Sequence, residues 1–309
     1  MAGSGKADRQ GRNIPYVLIT PARNEATFIE QTIQSVICQT VLPLKWVIVS
    51  DGSTDGTDDI VKKYTVEYRW IELVRMPERR ERHFAGKAHA FNRGYEIVKA
   101  LHYEVIGNLD ADISFEEDYL SFILGKFGEN PRLGVGGTPF REEAQQYDYR
   151  FTSTDHVSGA CQLFRRECFE AIGGYLPLKA GGVDLAAVIN ARMQGWETRT
   201  FTEMTCVHHK KTQDVVNKSL KDTVRSGYHD YLMGSHPAWQ VSRSVYQMSK
   251  KPALLGGIAL LVGYLWAMAT RAERIVPQEL IEFRGKEQMA RLMEFIRKVF
   301  SPGRHGHSA

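Results

Sequence analysis

Apolar residues in this chain alternate between two spacings. Tyr16-Val17-Leu18-Ile19-Thr20 is a continuous apolar and β-branched run, the pattern of a strand covered on both faces. Phe28, Ile29, Ile33, Val36 and Ile37 then recur at helical spacing and predict an amphipathic helix over 26–39. Pro43 marks the turn into a second buried run, Trp46-Val47-Ile48-Val49. A helix over 57–64, a strand at Ile71–Val74, a helix over 88–101 and a strand at 104–109 continue the alternation. Ser114-Phe115-Glu116-Glu117 has the spacing of a capping box and predicts a helix over 115–127. Strand–helix alternation of this kind builds an α/β fold, with a mostly parallel central sheet, flanking helices and right-handed crossovers.

Beyond residue 130 the alternation loosens. Leu133–Thr138 and Val157–Phe164 read as strands, Glu142–Thr154 as a mobile polar loop, and Glu167–Ile172 as a short helix ended by Gly173-Gly174. A helix opens at Val183-Asp184 with Leu185, Val188, Ile189 and Met193 on one face, and Thr198–Val207 is a last strand running into His208-His209. Pro252–Thr270 is nineteen residues without a charge, just long enough to span a bilayer. Lys250 and Lys251 flank one end, Arg271 and Arg274 the other. A single span would leave one basic flank outside, against the positive-inside tendency. A re-entrant or interfacial helix with both ends cytoplasmic is therefore expected, ahead of a plain span or a buried core helix. Residues 278–299 form an amphipathic basic helix suited to a membrane surface or a partner.

Composition narrows the field. The chain is 43% hydrophobic and 25% charged, ordinary for a globular protein, with a net charge of +4. That charge, with no zinc-finger spacing or RNP-like aromatic pattern, does not point to nucleic acid. It is compatible with anionic phosphates or an anionic membrane face. Cys38, Cys161, Cys168 and Cys206 include no C-x-x-C pair and read as reduced thiols of a cytosolic chain. Met1–Asn13 is polar and basic, without the apolar core of a signal peptide, and reads as a disordered leader. The expected organisation is this leader, a catalytic domain over 14–235 and a helical membrane-associating region over 236–309.

The chemistry centres on Asn108-Leu109-Asp110-Ala111-Asp112. Two carboxylates stand at the C-terminal tip of a buried strand, where open α/β sheets bind ligands. Paired hard oxygen ligands suit Mg2+ or Mn2+, which usually brings a phosphate with it. Two solvated turn aspartates would look the same in isolation, so the surrounding motifs decide. No GxGxxG follows any strand, Gly134-Val135-Gly136-Gly137 included, which counts against a classical dinucleotide fold.

Taken in order, Pro21-Ala22-Arg23-Asn24-Glu25, Asp51-Gly52-Ser53-Thr54-Asp55, Gly86-Lys87-Ala88, Asp110-Ala111-Asp112, Ser158-Gly159-Ala160, Gly173-Gly174-Tyr175, Val183-Asp184 and His208-His209 resemble the inverting family-2 glycosyltransferases of bacterial polysaccharide assembly, over about 14–212. The resemblance implies the GT-A nucleotide-diphospho-sugar transferase fold. It also implies metal-dependent transfer of a sugar from a nucleotide-diphosphate sugar, expected to be UDP-linked, to a hydroxyl of a lipid-linked saccharide at the cytoplasmic face of the cell membrane. On this resemblance Asp112 ligates the metal and Asp110 contacts the ribose or a metal-bound water. A histidine completes the shell. His208 and His209 alternate faces on a strand, so only one points inward, and His209 is preferred. Asp184 is placed as the general base, although aspartate at a helix start also suits an N-cap. Asp51 would meet the nucleotide base, Glu25 the base or ribose, and Lys87 with the arginines before it (Arg75, Arg79, Arg80, Arg82) the diphosphate. Pro21, Ala22, Asn24, Gly86, Ala111, Gly159 and Ala160 would line the donor site. Val183 departs from the glutamate usual before this aspartate, which bears on acceptor contacts.

The Gln-x-x-Arg-Trp signature of processive synthases is absent, and Gly227–Trp239 occupies its region. One membrane segment makes no channel, so a single sugar per encounter is expected. A sugar-phosphate nucleotidyltransferase would need a Gly-rich phosphate loop where Pro21–Glu25 stands. A non-catalytic nucleotide-sugar-binding membrane scaffold would have no need of Asp112 and Asp184.

Overall fold

The apolar runs become strands wherever both faces can be covered. The computed structural model describes residues 14–78, 85–142, 153–210, 219–250 and 252–300. The expected leader, Arg79, Arg80, Arg82, His83 and most of the 142–154 loop lie outside the described residues. The first half of the chain alternates β1 (Tyr16–Ala22), α1 (Ile29–Ile37), β2 (Lys45–Asp51), α2 (Thr57–Glu67), β3 (Ile71–Met76), α3 (Ala85–Val98) and β4 (Val105–Leu109). There follow β5 (Ile113–Ser114), α4 (Tyr119–Glu129), β6 (Leu133–Gly137), β7 (Phe140–Arg141), β8 (Cys161–Arg165), α5 (Arg166–Ala171), α6 (Val183–Met193), β9 (Glu197–Thr200) and β10 (Cys206–His208).

Seven strands form the main sheet in the order β3-β2-β1-β4-β8-β6-β9. β1 pairs in parallel with β2 and β4, and β2 with β3. β8 runs antiparallel to both β4 and β6, so the sheet is mostly but not wholly parallel. Leu18 lies opposite Trp46 on one side and Gly107 on the other. Val17, Leu18, Ile19 and Trp46–Val49 have no exposed surface, as a doubly covered sheet requires. Under α3 and α5, Phe91, Phe164, Phe169 and Tyr175 pack edge-on or tilted, with centroids from 4.8 Å (Phe91–Tyr175) to 6.0 Å (Phe169–Tyr175). The Tyr175 hydroxyl donates to Gln162 Oε1 at 2.6 Å, so this buried phenol is satisfied.

Two expectations change. The strand foreseen over 198–207 divides into β9, which joins the main sheet, and β10, which joins a three-stranded sheet β5-β10-β7. The capping box at Ser114–Glu117 does not form. Ser114 lies in β5, paired with Val207, and α4 begins at Tyr119 after Asp118, with no side-chain cap. Ladder pairing has claimed the residue that local spacing marked as a cap.

The chain divides into two units, Met1–Lys211 and Thr212–Ala309. The second unit contains α7 (Leu220–Leu232), α8 (Pro237–Met248), α9 (Leu255–Ala269) and α10 (Gln278–Phe300). Ser219 and Asp222 form a capping box that starts α7. α7 packs on α9. A Cβ on Gly227 would fall 1.9 Å from the Leu260 carbonyl oxygen, and one on Gly263 would fall 1.9 Å from that of Val224. Paired glycines thus let the two backbones touch. Among the described residues no helix is long and apolar enough to cross a membrane.

Phe169 is 2% exposed and packs against four other rings, those of Phe91, Tyr95, Phe164 and Tyr175. Phe169→Ala is expected to cost about 3–5 kcal/mol, read as a lower urea midpoint. Leu42→Ala, at an exposed site, should stay within about 0.5 kcal/mol of the parent.

Candidate active site

The strand order places β1 beside both β2 and β4, and the chain leaves β1 and β4 in opposite directions across the sheet. The crevice outside the C-terminal ends of such strands is where open α/β sheets bind ligands. Pro21 and Ala22 end β1 in register with Val49 and Ser50 of β2. The loops that follow are fastened to one another. The Asn24 amide donates to Ser53 Oγ at 3.1 Å, the Thr54 amide to Asn24 Oδ1 at 2.8 Å, the Glu25 amide to Thr57 Oγ1 at 2.9 Å and the Ala26 amide to Asp55 Oδ2 at 3.0 Å. Asn24 holds a left-handed backbone, φ 56°, a conformation that asparagine tolerates better than most residues. Asp51, 5% exposed at the end of β2, has Arg23 Nη1 3.7 Å from its carboxylate. Glu25 pairs with Lys210 Nζ at 2.6 Å. Burial raises the Glu25 pKa, Lys210 pulls it back, and the Asp112 charge adds to the rise.

At the neighbouring edge, β4 delivers Asn108, Asp110 and Asp112. Asn108 is fully buried, and its Nδ2 donates to the Gly159 carbonyl at 2.7 Å and to Asp110 Oδ1 at 3.3 Å. The Asp110 amide donates to the Ala160 carbonyl at 2.9 Å. From the first turn of α3, beside buried Gly86, Lys87 Nζ reaches Asp110 Oδ1 at 2.7 Å, the Gly159 carbonyl at 3.2 Å and Asp184 Oδ1 at 3.7 Å. Burial alone would lower the Lys87 pKa, but the charges of Asp110, Asp184 and Asp112 hold it above the ordinary lysine range. Burial pushes Asp110 up to about 6, with Asp112 and Asp184 adding to the rise and Lys87 opposing it.

Asp184 is not the N-cap of α6. Gly182, at φ 83°, holds that position, and Asp184 lies in the first turn. A Cβ on Gly159 would sit 2.0 Å from Asp184 Oδ2, so only glycine lets this carboxylate reach the crevice. Asp184 Oδ1 is buried and accepts no hydrogen bond from the described residues, with the Lys87 ammonium 3.7 Å away.

The histidines part company. His208, opposite Ile113 in the small sheet, has Nε2 3.4 Å from Asp112 Oδ2 and Nδ1 3.2 Å from Glu142 Oε1. His209 turns the other way. Its amide donates to the Asp112 carbonyl at 2.8 Å, its Nε2 lies 2.8 Å from Ser114 Oγ, and its ring stacks on Phe28. Alternation along the strand allows one inward ring, and the pairing of β10 with β5 selects His208 rather than the preferred His209. Burial lowers the pKa of both, but bonding to Asp112 outweighs it at His208 and leaves that ring raised, whereas His209 stays lowered.

Among the described residues no group of three or more His, Cys, Asp and Glu side chains could hold a metal ion. Asp112 and His208 instead form an open pair, close enough to share one small cation and leave its other positions to phosphate oxygens and water. Mg2+ and Mn2+ are commonly held in this way, so the residues present fit that group.

Arg75 does not face a donor, since its guanidinium holds Asp58 Oδ2 at 2.6 Å and the Ser53 carbonyl at 3.3 Å. Sequence reasoning assigned no role to Asn108, Lys210 or Glu142. Asn108 carried a signal, as an amide inside an otherwise apolar strand; Lys210 and Glu142 carried none.

Known proteins share both sequence and fold with the chain. The profile of glycosyl transferase family 2 matches residues 17–169. The chain belongs to this family. A poly-beta-1,6-N-acetyl-D-glucosamine synthase of Staphylococcus epidermidis is 31% identical over 121 residues, covering 38% of this chain and 26% of the synthase. One of Staphylococcus aureus is 32% identical over 117 residues, with the same coverage. This family-2 chain therefore spans about a quarter of the length of those relatives. Among solved structures, a mannosyltransferase of Pyrobaculum calidifontis in complex with GDP-Man and Mn2+ superposes with a TM-score of 0.56 at 18% identity, covering 94% of this chain and 89% of the other. Residues 1–349 of S. aureus TarS in complex with UDP-GlcNAc give 0.54 at 14% identity, covering 93% and 82%. These two share the GT-A fold with the family-2 chain.

Removing the Asn24 side chain tests the fastened loops. Asn24→Ala loses the bond to the Thr54 amide and leaves alanine at positive φ, so it is expected to cost about 1–2 kcal/mol in urea unfolding. Asn24→Gly loses the same bond but relieves the backbone, and should cost less.

Proposed function

We propose that this family-2 glycosyltransferase moves one sugar at a time from a nucleotide-diphosphate sugar, UDP-linked by preference, to a hydroxyl of a lipid-linked saccharide in cell-surface polysaccharide synthesis, with inversion at the anomeric carbon. The observation that carries the reading is the meeting of Lys87 with Asp110 and Asp184 at the crevice, beside Asp112 and His208. Pro21, Ala22, Asn24, Glu25 and Asp51 would receive the nucleoside on the β1–β2 side of that crevice. Asp112 and His208 would hold Mg2+ or Mn2+ against the diphosphate. When bound there, the cation supplies positive charge that stabilises the leaving diphosphate.

The protein's own residues supply the rest. Asp184 Oδ1, which accepts no hydrogen bond among the described residues, takes the proton of the acceptor hydroxyl. The hydroxyl oxygen bonds to the anomeric carbon as the bond from that carbon to the phosphate oxygen breaks, and the electron pair departs on the diphosphate. Attack from the face opposite the leaving group inverts the centre. Lys87 neutralises Asp110 and Asp184 before the donor arrives. A diphosphate would compete for the same ammonium and free Asp184 to act as base. Support for a saccharide acceptor comes from the relatives' naming as polysaccharide synthases. The nucleotides in the structural relatives, GDP-Man and UDP-GlcNAc, define the donor classes to compare.

A thermal-shift screen against UDP, GDP, CMP and dTDP sugars, with and without Mn2+, tests the donor site. A metal-dependent rise with a UDP sugar, lost in Asp112→Ala, is expected; no rise with any donor contradicts the reading. Asp184→Asn should keep the shift while turnover falls roughly 10²–10⁴-fold. Unchanged turnover in that variant removes Asp184 as the base. A donor-dependent shift without any transfer by the parent protein favours the non-catalytic scaffold.

A further inference from the structure

In the Thr212–Ala309 unit, α9 is apolar all round but buried on only one side. Gly227 of α7 and Gly263 of α9 bring those backbones into contact, and Gly257 packs against the Ser244 carbonyl of α8, 2.3 Å from where its Cβ would stand. This close seating buries Ala259, Leu260, Tyr264 and Ala267. It leaves Leu255, Ile258, Val262, Leu265 and Trp266 facing outward, each between 44% and 59% exposed. Their spacing places all five on one stripe of the helix. On α8, Val241 and Val245 are 50% and 60% exposed. Soluble surfaces seldom leave a stripe of so many aliphatic and aromatic side chains without a use.

We propose that the outer face of α9, with Val241 and Val245, docks on an anionic lipid bilayer, and that α9 lies in the plane of the interface instead of crossing it. Length and charge favour this occupant. The 15-residue helix is about 22 Å long, short of the roughly 30 Å hydrocarbon core. Its protein-facing side is already taken by α7 and α8. Exposed Lys250 and Arg271 bracket the uncharged stretch, a placement that meets anionic headgroups while the stripe enters the acyl boundary. Glu273 is the acidic residue nearby, between Arg271 and Arg274. Arg274 is engaged by the Tyr231 ring and carbonyl. Two copies packed through this face would oppose the same basic flanks, which disfavours a second chain as occupant.

The proposal does not rest on the glycosyl-transfer reading, and its test reads binding alone. The full chain is floated with phosphatidylglycerol-containing vesicles and with pure phosphatidylcholine vesicles. The parent is expected to float with the former and weakly with the latter, and alkaline carbonate should release it. Ile258→Glu combined with Val262→Glu, at exposed sites, should reduce vesicle binding roughly tenfold or more at an unchanged melting midpoint. Lys250→Glu with Arg271→Glu should abolish the preference for anionic vesicles. Four results overturn the proposal. The parent stays unbound with both vesicles; the apolar double variant binds as well as the parent; carbonate fails to release the protein; or the parent is a dimer that the apolar double variant turns into a monomer.

Discussion

One ammonium group holds the crevice at the sheet edge together. Lys87 comes from the start of α3, Asp110 from the end of β4, Gly159 from the segment before β8, and Asp184 from the start of α6, and the lysine touches all three partners. Without it, Asp110, Asp112 and Asp184 would place three carboxylates in one poorly solvated crevice. Like charges at that spacing disfavour joint ionisation. The protein accepts this crowding at the sheet edge, where a cationic lysine balances it.

The surroundings make the arrangement rigid. Asn108 fixes the Gly159 carbonyl, and the absent side chain of Gly159 admits Asp184. On the other side, Asn24 and Ser53–Thr57 fasten the loops after β1 and β2. The small sheet then sets the Asp112–His208 pair by backbone pairing alone. Each device depends on the parallel strands β1, β2 and β4 ending side by side, and so on the buried apolar runs that form them.

Those runs were legible because a doubly covered strand leaves no room for polar residues, and the joint order of the motifs made the family legible. What escaped the sequence was set by long-range pairing. Ser114 looked like a helix cap until β10 paired with β5, and the same pairing turned His208, not His209, toward Asp112. The break between β9 and β10 depends on a second sheet that no local pattern announces. On local pattern Asp184 suited an N-cap, and only its place in the motif series made it a candidate base; the left-handed Gly182 before it takes the cap position. The seating of α7 on α9 depends on Gly227 and Gly263, which lie far apart in the sequence and resemble ordinary loop or membrane glycines until the helices meet.

The most direct test of the account is a structure of the protein with UDP and Mn2+. The expected result has the cation on Asp112 and His208, Lys87 turned to the diphosphate, and Asp184 Oδ1 open toward the acceptor side. A diphosphate bound away from Lys87, or a cation held without Asp112, would contradict it.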